Sequence, residues 1–139
     1  MSYTLFKSPK ANSHGCQAIR DIKKGEIIAQ ELFNIVHNSS STYEKDYVWN
    51  NTIYPYIYNS AISISGLGHF CNHSFDNNVV PLFHNRQYSN RIPFQAIKDI
   101  KKGEEIFCNY GLNWWTNRNI APVMTSNELP ILKSLVKRT

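Results

Sequence analysis

Apolar and polar residues alternate in short runs along most of this chain, and turn-forming residues separate the runs. One apolar segment extends from residue 27 to 36, another alternates with polar residues over 52–66, and two more flank a polar turn within 79–97. Short runs of this kind, bounded by Gly, Pro and Asn, predict strands rather than helices. Pro55 places the segment 52–66 at the edge of a sheet. The pattern therefore predicts a mainly β domain.

One phrase occurs twice in the chain. The sequence AIRDIKKGEII at 18–28 returns as AIKDIKKGEEI at 96–106, with nine of eleven positions identical. Each copy predicts a strand, a polar turn and a second strand, with Gly25 or Gly103 free to adopt positive φ. Two such hairpin-like units predict that the chain termini lie close together. Either a duplication within the chain or the independent origin of two similar turns would explain the repeat.

Three other segments have weaker local signals. A polar loop spans 37–42, and the following stretch to residue 51 predicts a short helix or turn in which Tyr43, Tyr47 and Trp49 are candidates for burial. Residues 66–78 predict a shaped loop or one helical turn. The tail from 112 to 139 predicts one short helix at 127–137, where Pro130 is tolerated only in the first turn.

Length and charge restrict the fold more than the function. A chain of 139 residues predicts one domain over 1–139, and 42% hydrophobic with 13% aromatic residues argues against disorder. A net charge of +5 is ordinary for a small domain, although an acidic partner also fits it. The basic residues cluster mainly in two turns rather than among aromatics, so direct nucleic-acid binding is disfavoured.

The three cysteines, Cys16, Cys71 and Cys108, form no CxxC pair, which predicts free thiols and neither a metal site nor a disulfide framework. Free thiols favour a reducing compartment inside the cell. No secretory leader and no apolar run of 18 residues is present, so we expect a soluble intracellular protein without a membrane span.

Two short clusters are candidates for chemistry. Asn72-His73-Ser74 occupies a loop between glycines and asparagines, and Tyr110-Gly111 closes the second copy of the repeat just before Trp114-Trp115. A lone Asn-His pair is usually an ordinary turn, and a lone Tyr-Gly pair usually ends a strand. No serine-hydrolase elbow, P-loop or HExxH motif offers a competing site.

Taken in order, these clusters and two others resemble the motifs of the SET-domain protein lysine methyltransferases, the compact stand-alone type found in viruses and bacteria. The four motifs are Ser-His-Gly-Cys at 13–16, Asp-Tyr-Val-Trp at 46–49, Phe-Cys-Asn-His-Ser at 70–74 followed by Asn78, and Gly-Glu-Glu-Ile at 103–106 leading to Tyr-Gly at 110–111. The resemblance covers about residues 7–115. It implies the family's fold of small twisted sheets (the β-clip), in which the segment after Asn-His threads a loop and approaches Tyr110.

The resemblance also implies a function. The family transfers methyl groups from S-adenosyl-L-methionine to a protein lysine and releases S-adenosyl-L-homocysteine, and for this chain we expect a lysine in a histone tail. Tyr110 would be the catalytic residue. The implied cofactor-binding residues are Ser13, His14, Gly15, Cys16, Tyr47, His69, Phe70, Asn72, His73 and Trp114. The implied walls of the substrate channel are Tyr47, Cys108, Tyr110, Trp114 and Trp115.

Departures from the family pattern carry expectations of their own. Ser13 replaces the first glycine of the cofactor turn, and Cys108 stands where a Phe or Tyr often limits the number of methyl groups, so we expect di- or trimethylation. No cysteine-rich zinc segment follows Tyr110, so the tail around 116–139, or a second copy of the protein in a homodimer, would close the channel. The acidic candidates for substrate recognition are Glu31, Glu44, Asp46 and Asp76.

Two alternatives stay open from the sequence. One is a catalytically silent SET-like module that binds a lysine-bearing protein; Tyr110, Asn72 and His73 argue against it, whereas Ser13 leaves it open. The other is an enzyme that methylates a non-histone protein. A histone substrate would place the protein in a nucleus, its own or a host's.

Overall fold

The computed structural model describes residues 2–37, 48–50, 60–84 and 90–137. Nine strands and three helices are assigned in this part of the chain. The strands are β1 (Tyr3–Ser8), β2 (Ser13–Ala18), β3 (Ile27–His37), β4 (Val48–Asn50), β5 (Ser60–Ile64), β6 (Asn72–His73), β7 (Val79–Pro81), β8 (Arg91–Ala96) and β9 (Glu105–Cys108). The helices are α1 (Leu67–Phe70), α2 (Leu112–Arg118) and α3 (Glu128–Lys137).

The strands form two sheets. One has four strands in the order β1-β2-β9-β6, and the other has five in the order β4-β5-β3-β8-β7. The mainly β prediction is therefore confirmed. Strand β5 pairs with β4 on one side and β3 on the other, so the edge position expected for 52–66 is wrong for residues 60–64. Pro55, on which that expectation rested, lies outside the described residues.

The two copies of the repeat are not hairpins, contrary to the sequence-based interpretation. The first copy connects β2 to β3 and the second connects β8 to β9, and in each case the two strands belong to different sheets. The strands pair across copies instead, β2 with β9 and β3 with β8, both antiparallel. The repeat thus forms two matching crossings between the sheets.

The two turns of the repeat cap each other. Ile22 and Ile100 exchange both backbone hydrogen bonds, at 2.7 and 2.8 Å. The Asp21 carboxylate accepts the Lys102 N–H at 2.9 Å, and Asp99 accepts the Lys24 N–H at 2.8 Å. Each aspartate therefore satisfies a turn donor of the other copy. This reciprocity gives a physical reason for two nearly identical phrases in one chain.

Backbone geometry explains the glycine of each turn. Gly25 has φ of +97° and Gly103 of +93°, a region that other L-residues adopt only with strain. Their N–H groups donate to Ala96 and Ala18 respectively, each at 2.8 Å, and so link each turn to the other copy. The predicted positive φ is confirmed at both positions.

The helices are short and lie mostly outside the core. Helix α3 agrees with the predicted tail helix, whereas α2 was not predicted, since its sequence has two tryptophans and two asparagines with no clear apolar period. In the described part of the chain, no helix combines the length and the apolar composition needed to cross a bilayer.

Candidate active site

The parallel pairing of β6 with β9 brings the Asn-His motif to the end of the repeat. His73 is in register with Cys108, and the Tyr110 N–H donates to His73 Nδ1 at 3.0 Å. The Tyr110 hydroxyl donates to the carbonyl oxygen of Cys71 at 2.8 Å. Residues 37 positions apart in sequence are therefore in direct contact, as the resemblance implied.

The His73 ring is held as a neutral imidazole. Because Nδ1 accepts a hydrogen bond from an amide, the proton lies on Nε2. Burial, together with the positive charge of Lys10, lowers the pKa of His73 to about 4, although the Glu128 carboxylate opposes this shift. The ring is 5% exposed, and its Nε2 is buried without a hydrogen-bond partner in the described residues.

This lowered pKa predicts a pH dependence of stability. The unfolded chain binds a proton at His73 below about pH 6.5, whereas the folded chain binds it only near pH 4, so stability falls as the pH decreases through that window. Between pH 6.5 and 5 we expect a loss of about 2 kcal/mol at about 1.36 kcal/mol per unit. Urea unfolding at several pH values measures it. A His73→Gln chain should show a shallower slope, and equal slopes in the two chains would contradict the assignment.

Aromatic rings surround Tyr110. Its ring is stacked with that of Trp115 (centroids 6.1 Å apart, planes at 11°) and lies 5.1 Å from Trp114 and 5.2 Å from His73. Both tryptophans lie on α2, directly after Gly111. The Trp115 Nε1 is a second buried N–H that has no partner in the described residues. These half-buried rings form an aromatic wall beside the Tyr110 phenol.

Residues 13–16, called the cofactor turn after the role that the resemblance implies, form the start of strand β2 rather than a turn, and they contact the Asn-His motif from the other side. The Asn72 side-chain amide donates to the His14 carbonyl at 2.9 Å and to the Glu105 carboxylate at 3.0 Å. A Cβ at Gly15 would come within 2.7 Å of both Asn72 Nδ2 and Glu105 Oε2. A side chain at position 15 would therefore push the Asn72 amide and the Glu105 carboxylate out of their present positions.

Ser13 introduces no backbone strain at this turn. In the described residues, positive φ at non-glycine positions occurs at Asn12 and Asn119, not at Ser13. Asn tolerates this region better than most residues. A serine at position 13, where the family pattern has glycine, is thus compatible with this backbone geometry. Ser13 therefore gives no support to the catalytically silent alternative.

Asn78 ties the segment after the Asn-His motif to β9. Its side chain donates to the Glu105 carbonyl at 2.9 Å and accepts the Phe107 N–H at 2.8 Å. Its own N–H donates to the Phe107 carbonyl at 3.2 Å. Three hydrogen bonds therefore hold residues 72–78 against the strand that leads to Tyr110.

Some implied site residues are less directly placed. His69 and Phe70 lie on α1 with their rings 4.7 Å apart, and Phe70 is 38% exposed. Cys16 and Cys108 are completely buried, and with Cys71 they bring three thiols together in the core. Burial, with the neighbouring Cys108 thiol, raises the pKa of Cys71 well above its ordinary value and that of Cys16 to about 12.

Several predictions fall outside the described residues or acquire another role. Tyr43, Tyr47, Glu44 and Asp46 lie outside the described part of the chain. Glu31 accepts hydrogen bonds from the Tyr3 hydroxyl and the Leu67 N–H, and Asp76 is paired with Lys98. Trp49 is half-buried, as expected, and donates to the Gly68 carbonyl at 3.0 Å.

Sequence reasoning missed three charged residues around the site: Lys10, Glu105 and Glu128. Glu105 belongs to a recognised motif, but nothing in its local sequence indicates contact with Asn72. Lys10 and Glu128 lie 118 positions apart and form an ion pair at 3.1 Å. Only a buried tertiary contact reveals such a pair.

Comparison with known proteins identifies the family. The sequence profile of the SET domain matches residues 13–111. The chain belongs to the SET-domain family. Histone-lysine N-methyltransferase EZH2 of Chaetomium thermophilum is 29% identical over 118 residues, which cover 76% of this chain and 8% of EZH2. The chain therefore spans less than a tenth of the length of this curated relative.

Solved SET-domain structures show the same architecture. A candidate histone methyltransferase of Plasmodium falciparum superimposes with a TM-score of 0.65 at 26% identity, covering 82% of this chain and 96% of that one. A second match is the polycomb repressive complex 2 of Chaetomium thermophilum, in an autoinhibited conformation bound to S-adenosylmethionine. It superimposes with a TM-score of 0.59 at 26% identity, and the match covers 99% of this chain and 17% of that one. The SET fold expected from the motifs is confirmed.

Proposed function

We propose that this protein transfers methyl groups from S-adenosyl-L-methionine to a lysine side chain of a histone tail. The observation that carries the proposal is the contact of Tyr110 with both His73 and Cys71, which assembles the family's two functional motifs at one place. The likeness to a histone-lysine methyltransferase supports the substrate class. Action on histones would take place in a nucleus.

The attacking lysine must first lose its proton. Its ordinary pKa is about 10.4, so reaching the neutral amine near pH 7.5 requires about 4 kcal/mol at about 1.36 kcal/mol per unit. A lysine packed against the rings of Tyr110, Trp114 and Trp115 would lose contact with water, which disfavours the ammonium form. A nearby positive charge on the cofactor adds to this effect. The aromatic wall therefore lowers the pKa of the substrate amine.

The Tyr110 hydroxyl is held in one orientation. Its proton points to the Cys71 carbonyl, and this hydrogen bond fixes the directions of the lone pairs on the phenol oxygen. The peptide N–H of the same residue is held by His73, which fixes the backbone. Positioning of this kind can supply several kcal/mol of the barrier reduction.

The residues of the turn fit a cationic, amine-bearing cofactor. When bound, the cofactor supplies a methyl group on a positively charged sulfur. The Glu105 carboxylate lies beneath Gly15 and orients the Asn72 amide, so this part of the site offers a negative charge and amide oxygens to a cation. The proposed cofactor-binding residues are Ser13, His14, Gly15, Cys16, Tyr47, His69, Phe70, Asn72, His73 and Trp114.

The small side chain of Cys108 predicts the methylation state. Cys108 is buried two residues before Tyr110 and contacts the thiol of Cys71, the residue whose carbonyl binds the phenol. A thiol occupies less volume than the aromatic ring common at this position, so we expect di- or trimethyl product. Mass spectrometry of a saturated reaction measures this. A Cys108→Phe variant should shift the product towards monomethyl, and a native reaction that stalls at one methyl group would contradict the prediction.

A methylation assay on peptide arrays tests the function. Arrays that span histone tails and non-histone sequences, incubated with radiolabelled cofactor, should show label on a small set of histone lysines. Label only on non-histone lysines would replace the proposed substrate but keep the chemistry. No label on any peptide, together with no heat of cofactor binding in calorimetry, would refute the proposal.

A further inference from the structure

Glu128 is a buried carboxylate in a largely exposed helix. Its side chain has 0% exposure, whereas Leu129 is 44% and Val136 is 55% exposed on the same helix α3. Burying a carboxylate is unfavourable unless it is paired and fully hydrogen-bonded. The partners of this carboxylate lie in three separate parts of the chain, at Lys10, Phe75 and Thr125. The charge therefore suggests a task besides anchoring.

Four donors keep Glu128 ionised. Its carboxylate accepts the Phe75 N–H at 3.0 Å, the Thr125 N–H at 3.1 Å and the Thr125 hydroxyl at 3.3 Å, and it pairs with Lys10 at 3.1 Å. Burial alone would raise the pKa of this carboxyl, but these N–H groups and the Lys10 ammonium bring it below its ordinary value. The group is an anion at neutral pH.

Lys10 connects this anion to the Asn-His motif. Its ammonium donates to the carbonyl oxygen of His73 at 2.8 Å and lies 5.3 Å from the centre of the Phe107 ring. The side chain is only 12% exposed. Lys10 lies in the turn between β1 and β2, three residues before Ser13. The pair therefore joins the start of the cofactor turn, the Asn-His motif and the tail helix.

We propose that Lys10 and Glu128 form a positioning pair for methyl transfer, an inference that rests on the proposed function. The pair holds the His73 carbonyl and the Phe75 N–H, the backbone groups on either side of Ser74. From the opposite side, the Tyr110 N–H holds the His73 imidazole. Docking of the tail through one ion pair thus sets the position of His73 relative to the phenol.

A purely structural anchor and a positioning pair differ in what they predict. Loss of an anchor lowers the unfolding temperature but leaves the turnover rate of the folded protein unchanged. Loss of a positioning pair lowers kcat of the folded protein, since displacement of reacting groups by about 1 Å can cost about 100-fold in rate. The measured kcat at a temperature where the variant is folded therefore separates the two.

The test compares steady-state kinetics of Glu128→Gln, Lys10→Met and the double variant with the native chain. At saturating cofactor and histone peptide, we expect each single variant to lower kcat at least about tenfold, as loss of a charge-assisted hydrogen bond allows. The double variant should have about the same kcat as the slower of the two single variants, because each substitution removes the same ion pair. Lys10→Arg keeps the ion pair and should stay within about threefold of native.

Glu104→Gln serves as the matched control, because it makes the same chemical change as Glu128→Gln at an exposed position. Native kcat in folded Glu128→Gln and Lys10→Met chains would overturn the inference while leaving the proposed function intact. Failure of both chains to fold would assign the pair a structural role and would also overturn it. A native chain without transfer activity would overturn the proposed function and this inference together.

Discussion

Replacement of Tyr110 by phenylalanine is expected to reduce methyl transfer at least about 100-fold, comparable to the loss of a preorganised hydrogen-bonding group at a reacting centre. The hydroxyl is the only polar group of this side chain, and Cys71 holds it in one orientation. Phenylalanine retains the stacking with Trp115 and the contact with Trp114. The fold should therefore survive with a loss of about 1 kcal/mol or slightly more.

Radiolabel transfer to the histone peptide found on the array measures this effect, with thermal unfolding as the check on folding. Tyr3→Phe is the matched control, because Tyr3 also loses one hydrogen bond, at 2.8 Å to Glu31, away from Tyr110. The control should keep nearly native activity. A Tyr110→Phe chain with a rate within a few-fold of native would remove Tyr110 from the proposed mechanism.

Deletion of residues 120–139 should abolish transfer more completely than it weakens cofactor binding. The deletion removes helix α3 and with it the Glu128 carboxylate that binds Lys10 and the Phe75 N–H. Water then reaches the motif around His73, and a hydrated site no longer lowers the pKa of the substrate lysine. We expect kcat to fall about 100-fold or more, in line with a lost orientation of the reacting groups.

Calorimetric titration with S-adenosyl-L-methionine and the peptide assay, applied to the same truncated chain, measure both effects. The residues of the cofactor turn and Asn72 remain in that chain, so we expect the cofactor Kd to rise less than about tenfold, or about 1.4 kcal/mol. A full-length chain with Val123→Ser controls for changes in the tail, because Val123 is 66% exposed. Full activity after truncation would show that the tail does not close the channel.

Much of the site could be predicted from the sequence because its motifs are local. Asn72-His73-Ser74 and Tyr110-Gly111 are each contiguous, and their order along the chain matches the family whose profile covers 13–111. The contact of His73 with Tyr110 confirms the most specific geometric expectation. The roles of the individual site residues remain predictions that the experiments above test.

The errors share one physical cause. Each copy of the repeat contains a turn between two short strands, and local sequence makes a hairpin the simplest interpretation. The pairing of β2 with β9 and of β3 with β8 depends on which buried faces meet, and short strands contain too little information to specify their partners. The unexpected helix α2 likewise follows from the packing of its tryptophans around Tyr110.

By itself, the sequence determined the strand-rich composition, the two glycine turns, the tail helix and the motifs of the family. Each of these depends on backbone preferences or side-chain chemistry within a few residues. Only the tertiary structure decided that the two turns cap each other and that Lys10 meets Glu128 beside His73. Such contacts join residues far apart in the chain, and a buried ion pair forms only where the folded core brings both charges to one place.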